Sequence, residues 1–102
     1  MENITVEELK ARLDAGENVV LVDVREAGEH EEFNIGGVLH PLPKIMQMDI
    51  EAIENLKDGE VVLYCRSGNR SGQAAMMLET MGFSETKNLV GGMLKWRETF
   101  GG

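Results

Sequence analysis

Cysteine is almost missing from this chain: Cys65 stands alone among 102 residues. A single thiol excludes an internal disulfide. With only His30 and His40 beside it, no zinc spacing of the Cys-x-x-Cys kind can be assembled, so no metal and no cofactor are expected. Long apolar runs are missing too. None approaches the roughly 20 residues that a membrane helix needs, so no membrane partner is expected. Positive charge is scarce, with 10 Lys and Arg against 18 Asp and Glu for a formal charge of −8. The few cations form no clustered stripe, which argues against nucleic acid and against an anionic lipid surface. The acids are scattered rather than looped, as a hard-cation site would need. Met1 to Ile4 lacks the basic and apolar regions of a secretory signal, so a reducing, cytoplasmic setting is the expectation.

What remains is an apolar fraction of 42% with no linker, repeat or low-complexity stretch. That is the composition of one globular domain, residues 1–102. Helical and strand patterns alternate along it, which predicts an α/β fold, a parallel sheet with helices on its faces. Thr5 and Glu8 form a capping box and Ile4 can staple to Leu9. Val6, Leu9 and Leu13 then follow helical spacing as far as Gly16. Val19 to Val22 is a continuous apolar run of the kind that is buried on both faces of a sheet. Glu26 to Glu32 reads as a helical turn or two. Val38-Leu39 reads as a short strand stopped by Pro41 and Pro43. Ile50 to Leu56 suits an amphipathic helix, and Val61 to Tyr64 is a second apolar strand that runs straight into Cys65. Ala74, Met77, Leu78 and Met81 mark the next helix, capped by Gly82. Lys87 to Leu89 is the last strand, and Met93 to Phe100 the final helix.

The chemistry concentrates in Cys65-Arg66-Ser67-Gly68-Asn69-Arg70-Ser71, between a buried strand and a helix start. Ligands of open α/β sheets bind beyond the carboxyl ends of strands, and a helix N-terminus offers free N–H groups and partial positive charge to an anion. Gly68 permits the positive φ that a tight cradle needs. From Val61 to Leu78 there are two arginines and no acid, a cationic patch in an anionic chain. A lone cysteine after an apolar strand is by itself an inert small hydrophobe. Strand end, glycine, two arginines and helix start within six residues instead predict a thiol with a depressed pKa, the thiolate being stabilised by dipole, amides, Arg66 and Arg70. Such a sulfur can act as a nucleophile and carry a second sulfur.

Asp23-Val24-Arg25-Glu26, the Gly36-Gly37 region, the Cys65-to-Ser71 loop and Gly91-Gly92-Met93-Leu94-Lys95-Trp96 resemble, in order, the motifs of single-domain rhodanese-like sulfurtransferases. The resemblance implies a five-stranded parallel sheet flanked by helices on both faces. It also implies a Cys65 persulfide, formed from thiosulfate or a persulfide donor and passed to cyanide, a thiol or a sulfur-acceptor protein. Backbone N–H groups from Arg66 through Ser67, Gly68 and Asn69 to Arg70 would cradle the outer sulfur. Arg66 would attract the donor, while Arg70 would brace the loop or neutralise the persulfide. Relatives that handle phosphate or arsenate separate cysteine and arginine by five residues. Here four lie between Cys65 and Arg70, which implies a pocket too small for a tetrahedral oxyanion. The resemblance departs at His40-Pro41, which leaves the path from Val38 to Leu42 open.

Asp23 and Arg25 follow the first buried strand. The resemblance gives them supporting roles, Asp23 bonding backbone and Arg25 pairing with a carboxylate; Ser71 supports the loop. Trp96 is expected in the core with its indole N–H satisfied, and His30 and His40 as solvated or capping groups. Met46, Met48, Met76, Met77, Met81 and Met93 are expected mostly in the core, with the rim of the site as the alternative for Met46 and Met48. Beside the enzyme stand a sulfur-relay module serving a dedicated protein partner, and a redox sensor, which the absence of a resolving cysteine disfavours.

Overall fold

A computed structural model describes residues 1–102. In chain order the elements are β1 (Glu2–Ile4), α1 (Val6–Asp14), β2 (Leu21–Asp23), α2 (Ala27–Glu32), β3 (Val38–Leu39) and α3 (Leu42–Met46). A 3-10 turn follows at Glu51–Leu56, then β4 (Glu60–Tyr64), α4 (Asn69–Thr80), β5 (Glu85–Leu89) and α5 (Gly92–Phe100). The five strands form one parallel sheet in the order β1-β5-β4-β2-β3, with β4 and its carboxyl end at the centre.

Side chains alternate across a strand, so β4 feeds two separate cores. Val61 and Leu63 point to the face covered by α3, the 3-10 turn and α4, where they meet Ile45, Ile53, Ala74, Ala75 and Leu78. Val62 and Tyr64 point to the other face, against Leu9 of α1 and Met93 and Trp96 of α5. This period of two continues one residue past the strand. Cys65 therefore lies on the α4 side, packed with Val61 and Leu63 rather than with Tyr64.

The Thr5–Glu8 capping box forms as the sequence predicts, and Ile4 and Leu9 share one core. Several expectations shift. Val19 and Val20 lie before the β2 ladder, although Val20 already accepts from the Val62 amide at 2.9 Å. The Ile50–Leu56 segment winds as a 3-10 turn, not an α-helix. Pro41 and Pro43 do not merely end a strand. Pro43 occupies the first turn of α3, where a missing N–H costs nothing. Strand β1 had no sequence signal of its own, because its three residues become a strand by pairing with Lys87, Asn88 and Leu89.

The path left open at His40-Pro41 continues the β2 edge, with His40 N bonded to Asp23 O at 2.8 Å and Leu42 N to Val24 O at 3.0 Å. His40 is buried and not solvated, its Nε2 lying 2.7 Å from Asp49 O. His30 places Nδ1 2.8 Å from Asp23. The methionines divide: Met93 is core, whereas Met46, Met48 and Met76 are exposed, Met48 at 69%. Trp96 packs in the core edge-on to Phe100, and its indole N–H is not left buried without a partner. No helix is long and apolar enough to cross a membrane.

Candidate active site

Cys65 follows β4, in the middle of the sheet, and its side chain is 1% exposed at the foot of a turn. Helix α4 begins at Asn69, so Asn69 and Arg70 belong to the first helical turn and the loop proper is shorter than the sequence suggests. Gly68 is the N-cap at φ 102°, a left-handed conformation that glycine adopts freely. With that angle its amide turns back onto the sulfur. Gly68 N donates to Sγ at 3.1 Å, Ser71 N at 3.4 Å and Ser71 Oγ lies at 3.3 Å.

These contacts determine the protonation of the thiol. Burial raises its pKa, but the Ser71 hydroxyl and the amides of Ser71, Gly68 and Ser67 outweigh burial, and the net displacement is downward. The arginines do not lead this effect, contrary to the expectation from charge counting. Arg70 is occupied: Nη1 and Nη2 clasp Oε1 and Oε2 of Glu29 on α2 at 2.8 and 2.9 Å. The pair ties α4 to α2, and the Cys65 charge also acts on Arg70. Arg66 is exposed and has no ion-pair partner.

The loop is held from behind by α5. Met93 N donates to the Cys65 carbonyl and Leu94 N to the Arg66 carbonyl, both at 2.9 Å. A trans peptide points its N–H opposite to its C=O, so these bonds turn the Arg66 and Ser67 amides away from α5. Asp23 and Arg25 sit nearby as a buried pair, and their expected supporting contacts are present. Asp23 Oδ1 accepts from Arg25 N at 3.0 Å and from Arg25 Nε at 2.9 Å, and Arg25 also donates to Phe33 O at 2.6 Å. Beside the loop opens a cleft of about 340 Å³ whose lining includes Arg25, Arg66, Arg97, Phe33 and Leu94. Ser67 and Asn69 are exposed at its level in the chain, and their side chains make no hydrogen bond.

Glu29, Asn88 and Arg97 were not foreseen as neighbours of the site. Glu29 is one acid in an acidic stretch, and nothing local distinguishes it. Its carboxyl is lowered to about 2, chiefly by the Arg70 hydrogen bonds. A depressed carboxyl stabilises the fold above the ordinary carboxylate range and ceases to do so as pH falls through its folded value. Glu29→Gln is therefore expected to cost about 1 kcal/mol at neutral pH, since solvent screens a pair this exposed. Urea midpoints should converge with wild type near pH 2; a gap that persists there would mean that the carboxylate charge is not what holds Arg70.

The comparisons with known proteins agree with this geometry. The family model described as the rhodanese-like domain matches residues 5–99. A sulfurtransferase of Allochromatium vinosum is 40% identical over 96 residues, covering 94% of this chain and 88% of that protein. The crystal structure of a rhodanese-like domain protein from Staphylococcus aureus is 30% identical with a TM-score of 0.79, covering 94% of this chain and 91% of that one. Some relatives are longer. "Putative sulfur carrier protein YrkF" of Bacillus subtilis is 37% identical over 94 residues, which are 91% of this chain but 49% of that protein. The chain thus spans about half the length of that relative and about a quarter of two others. A cysteine cradled by amides at the centre of a β1-β5-β4-β2-β3 sheet, with a family match over nearly all of its length, makes this chain a member of the rhodanese-like domain family.

Proposed function

We propose that the protein is a sulfurtransferase that carries sulfane sulfur as a persulfide on Cys65. The observation that supports this most is the set of donors converging on Sγ from Gly68 and Ser71, at the start of a twelve-residue helix. They favour an anion at that sulfur. Cys65 thiolate attacks the outer sulfur of thiosulfate or of a persulfide donor. The new S–S bond forms as the donor's own S–S bond breaks, and sulfite or a thiolate leaves with the electron pair. Negative charge then rests on the outer sulfur, for which the loop amides from Arg66 to Arg70 are the donors at hand, in the manner of an oxyanion hole. A thiol or cyanide attacks that outer sulfur and Cys65 departs as thiolate.

Intact-mass measurement after exposure to thiosulfate tests the reading directly. Wild type should gain one sulfur atom and lose it on addition of cyanide, and it should leave aryl phosphates unhydrolysed. An unchanged mass with both thiosulfate and an alkyl persulfide would defeat the proposal.

Arg66 is an exposed cation in the loop with no ion-pair partner, and its role is to draw the anionic donor. Arg66→Ala should lower kcat/KM for thiosulfate roughly tenfold, through KM more than kcat, and flatten its dependence on salt. An unchanged salt dependence would remove Arg66 from donor capture.

The longer relatives favour a second reading, in which this unit passes its sulfur to a dedicated protein. One is named a sulfur carrier and others adenylyltransferase/sulfurtransferase, and in each the matched segment is only part of the chain. Both readings share the Cys65 persulfide and differ in the acceptor.

A further inference from the structure

Ser71 cannot serve both of its hydrogen-bond partners at once. Its Oγ is fully buried, 3.3 Å from Cys65 Sγ and 2.5 Å from Asn88 Oδ1. A hydroxyl has one proton to donate. The orientation of the Asn88 amide is determined by its other end, because Nδ2 donates at 3.2 Å to the Gly68 carbonyl, which can only accept. Oδ1 therefore faces Ser71 and it too can only accept. Two acceptors, a side-chain oxygen on β5 and the sulfur, compete for a single proton.

We propose that Asn88 is a positioning residue for Cys65, which favours the thiol by accepting the Ser71 hydrogen bond and permits the thiolate by releasing it. In the thiol state the chain runs Cys65 S–H to Ser71 Oγ, then Ser71 O–H to Asn88 Oδ1, and every donor has an acceptor. When the S–H proton leaves to solvent, the Ser71 hydroxyl rotates about Cβ–Oγ toward the sulfur and Asn88 Oδ1 loses its donor. Formation of a persulfide moves the negative charge to the outer sulfur, and the Ser71 proton returns to Asn88. No bond other than the S–H bond is broken in this cycle. The proposal rests on Cys65 acting as a thiolate, but its readout does not require sulfur transfer.

Charged groups do not account for the competition. Arg66 lies in the loop itself, Arg70 of α4 is clasped by Glu29 of α2, and Asp23 at the end of β2 is held by Arg25 and His30. On β5 the neighbouring Lys87 pairs with Glu60 of β4, and on α5 Lys95 pairs with Glu98 while Arg97 stacks over Phe33. None of these is a hydrogen-bond partner of Sγ, Ser71 Oγ or Asn88 Oδ1, so a change at Asn88 leaves them in place. The Gly68 carbonyl also keeps the Gly72 amide at 3.1 Å, so the loss of Nδ2 does not orphan it.

The test is the rate of iodoacetamide alkylation of Cys65 against pH, in the full chain, with thermal melts to confirm folding. Asn88→Ala should lower the alkylation midpoint by about half a pH unit or more, the scale of releasing one neutral hydrogen bond to the sulfur. A merely structural role predicts the opposite, since a loosened loop loses its amide contacts and the midpoint rises. Asn88→Val, which keeps strand propensity and has no acceptor, should reproduce the downward shift. In a Ser71→Ala background the midpoint should rise and the Asn88 substitutions should then have no effect. A raised or unchanged midpoint in both Asn88 variants overturns the proposal, as does an equal shift without Ser71. Loss of a cooperative melt in both would also overturn it, by making Asn88 structural. Failure of sulfur loading in wild type with these shifts intact would count against the proposed function alone.

Discussion

Cys65→Ser should abolish sulfur transfer and leave the fold standing. Loss of a covalent nucleophile costs on the order of 10⁶ in rate when nothing replaces it. No other thiol exists in the chain to stand in. The stability argument is less simple than a loop position suggests, because Cys65 is 1% exposed and belongs to the core that faces α4. Two features keep the cost small. Serine is nearly isosteric with cysteine, so little cavity opens. The new hydroxyl also finds the amides of Gly68 and Ser71 already directed at it, so a buried oxygen does not go unpartnered. Thermal unfolding should therefore move by about 1 kcal/mol or less in equivalent stability, while intact mass shows no added sulfur. Transfer that survives in the variant would end the persulfide mechanism. A collapsed melt with no activity would identify Cys65 as a packing residue first.

Gly92→Ala should damage the site through the backbone, without touching the sulfur. A Cβ at this position would lie 2.4 Å from the Cys65 carbonyl oxygen and 2.7 Å from the Arg66 carbonyl carbon and oxygen, with Gly92 at φ +54°. All of these are backbone atoms, and no flexible side chain can yield. The start of α5 would have to withdraw, and the bonds from Met93 N to Cys65 O and from Leu94 N to Arg66 O would lengthen or break. Overpacking and the left-handed backbone together should cost about 3 kcal/mol. Activity should fall further than the folded fraction explains, because those two bonds orient the loop amides. Gly16→Ala is the matched control: φ is +84° there and nothing lies within 4 Å of the added carbon. It should cost about 1 kcal/mol from the backbone alone and leave activity per folded molecule unchanged. Equal urea midpoints for the two variants would show that the close approach of α5 to the loop carries no energy.

The parts of the site that were legible in the sequence are those written in short segments. The apolar run ending at Tyr64, the glycine three residues past the cysteine and the helical stripe from Ala74 placed Cys65 at a strand-to-helix turn, where the structure has it. Of the causes expected for its lowered pKa, the amides hold and the leading part given to the arginines does not, because charges can be counted along a chain while the Ser71 hydroxyl bond cannot. That Arg70 braces was foreseen, but its partner Glu29, 41 positions earlier, was not. Met76 was read as core from residue type alone, which does not say which face of an element the sheet covers.

The sequence by itself determined the elements whose causes are local. The Thr5–Glu8 box starts α1, the period of two along β4 sends Cys65 to the α4 side and Tyr64 to the other, and Gly68 allows the turn that brings its amide to the sulfur. Each depends on residues a few positions apart, whose geometry the backbone transmits directly. Tertiary structure alone decided what surrounds that sulfur. Strand β1 exists only against β5, α5 reaches the loop only because Gly92 has no side chain, and Asn88 meets Ser71 only because β5 lies next to β4. These contacts join segments that a parallel sheet must connect by crossing over, so their partners are far apart in the chain. Hydrogen bonds and close packing act over a few ångströms, and only the assembled fold brings those segments within that range.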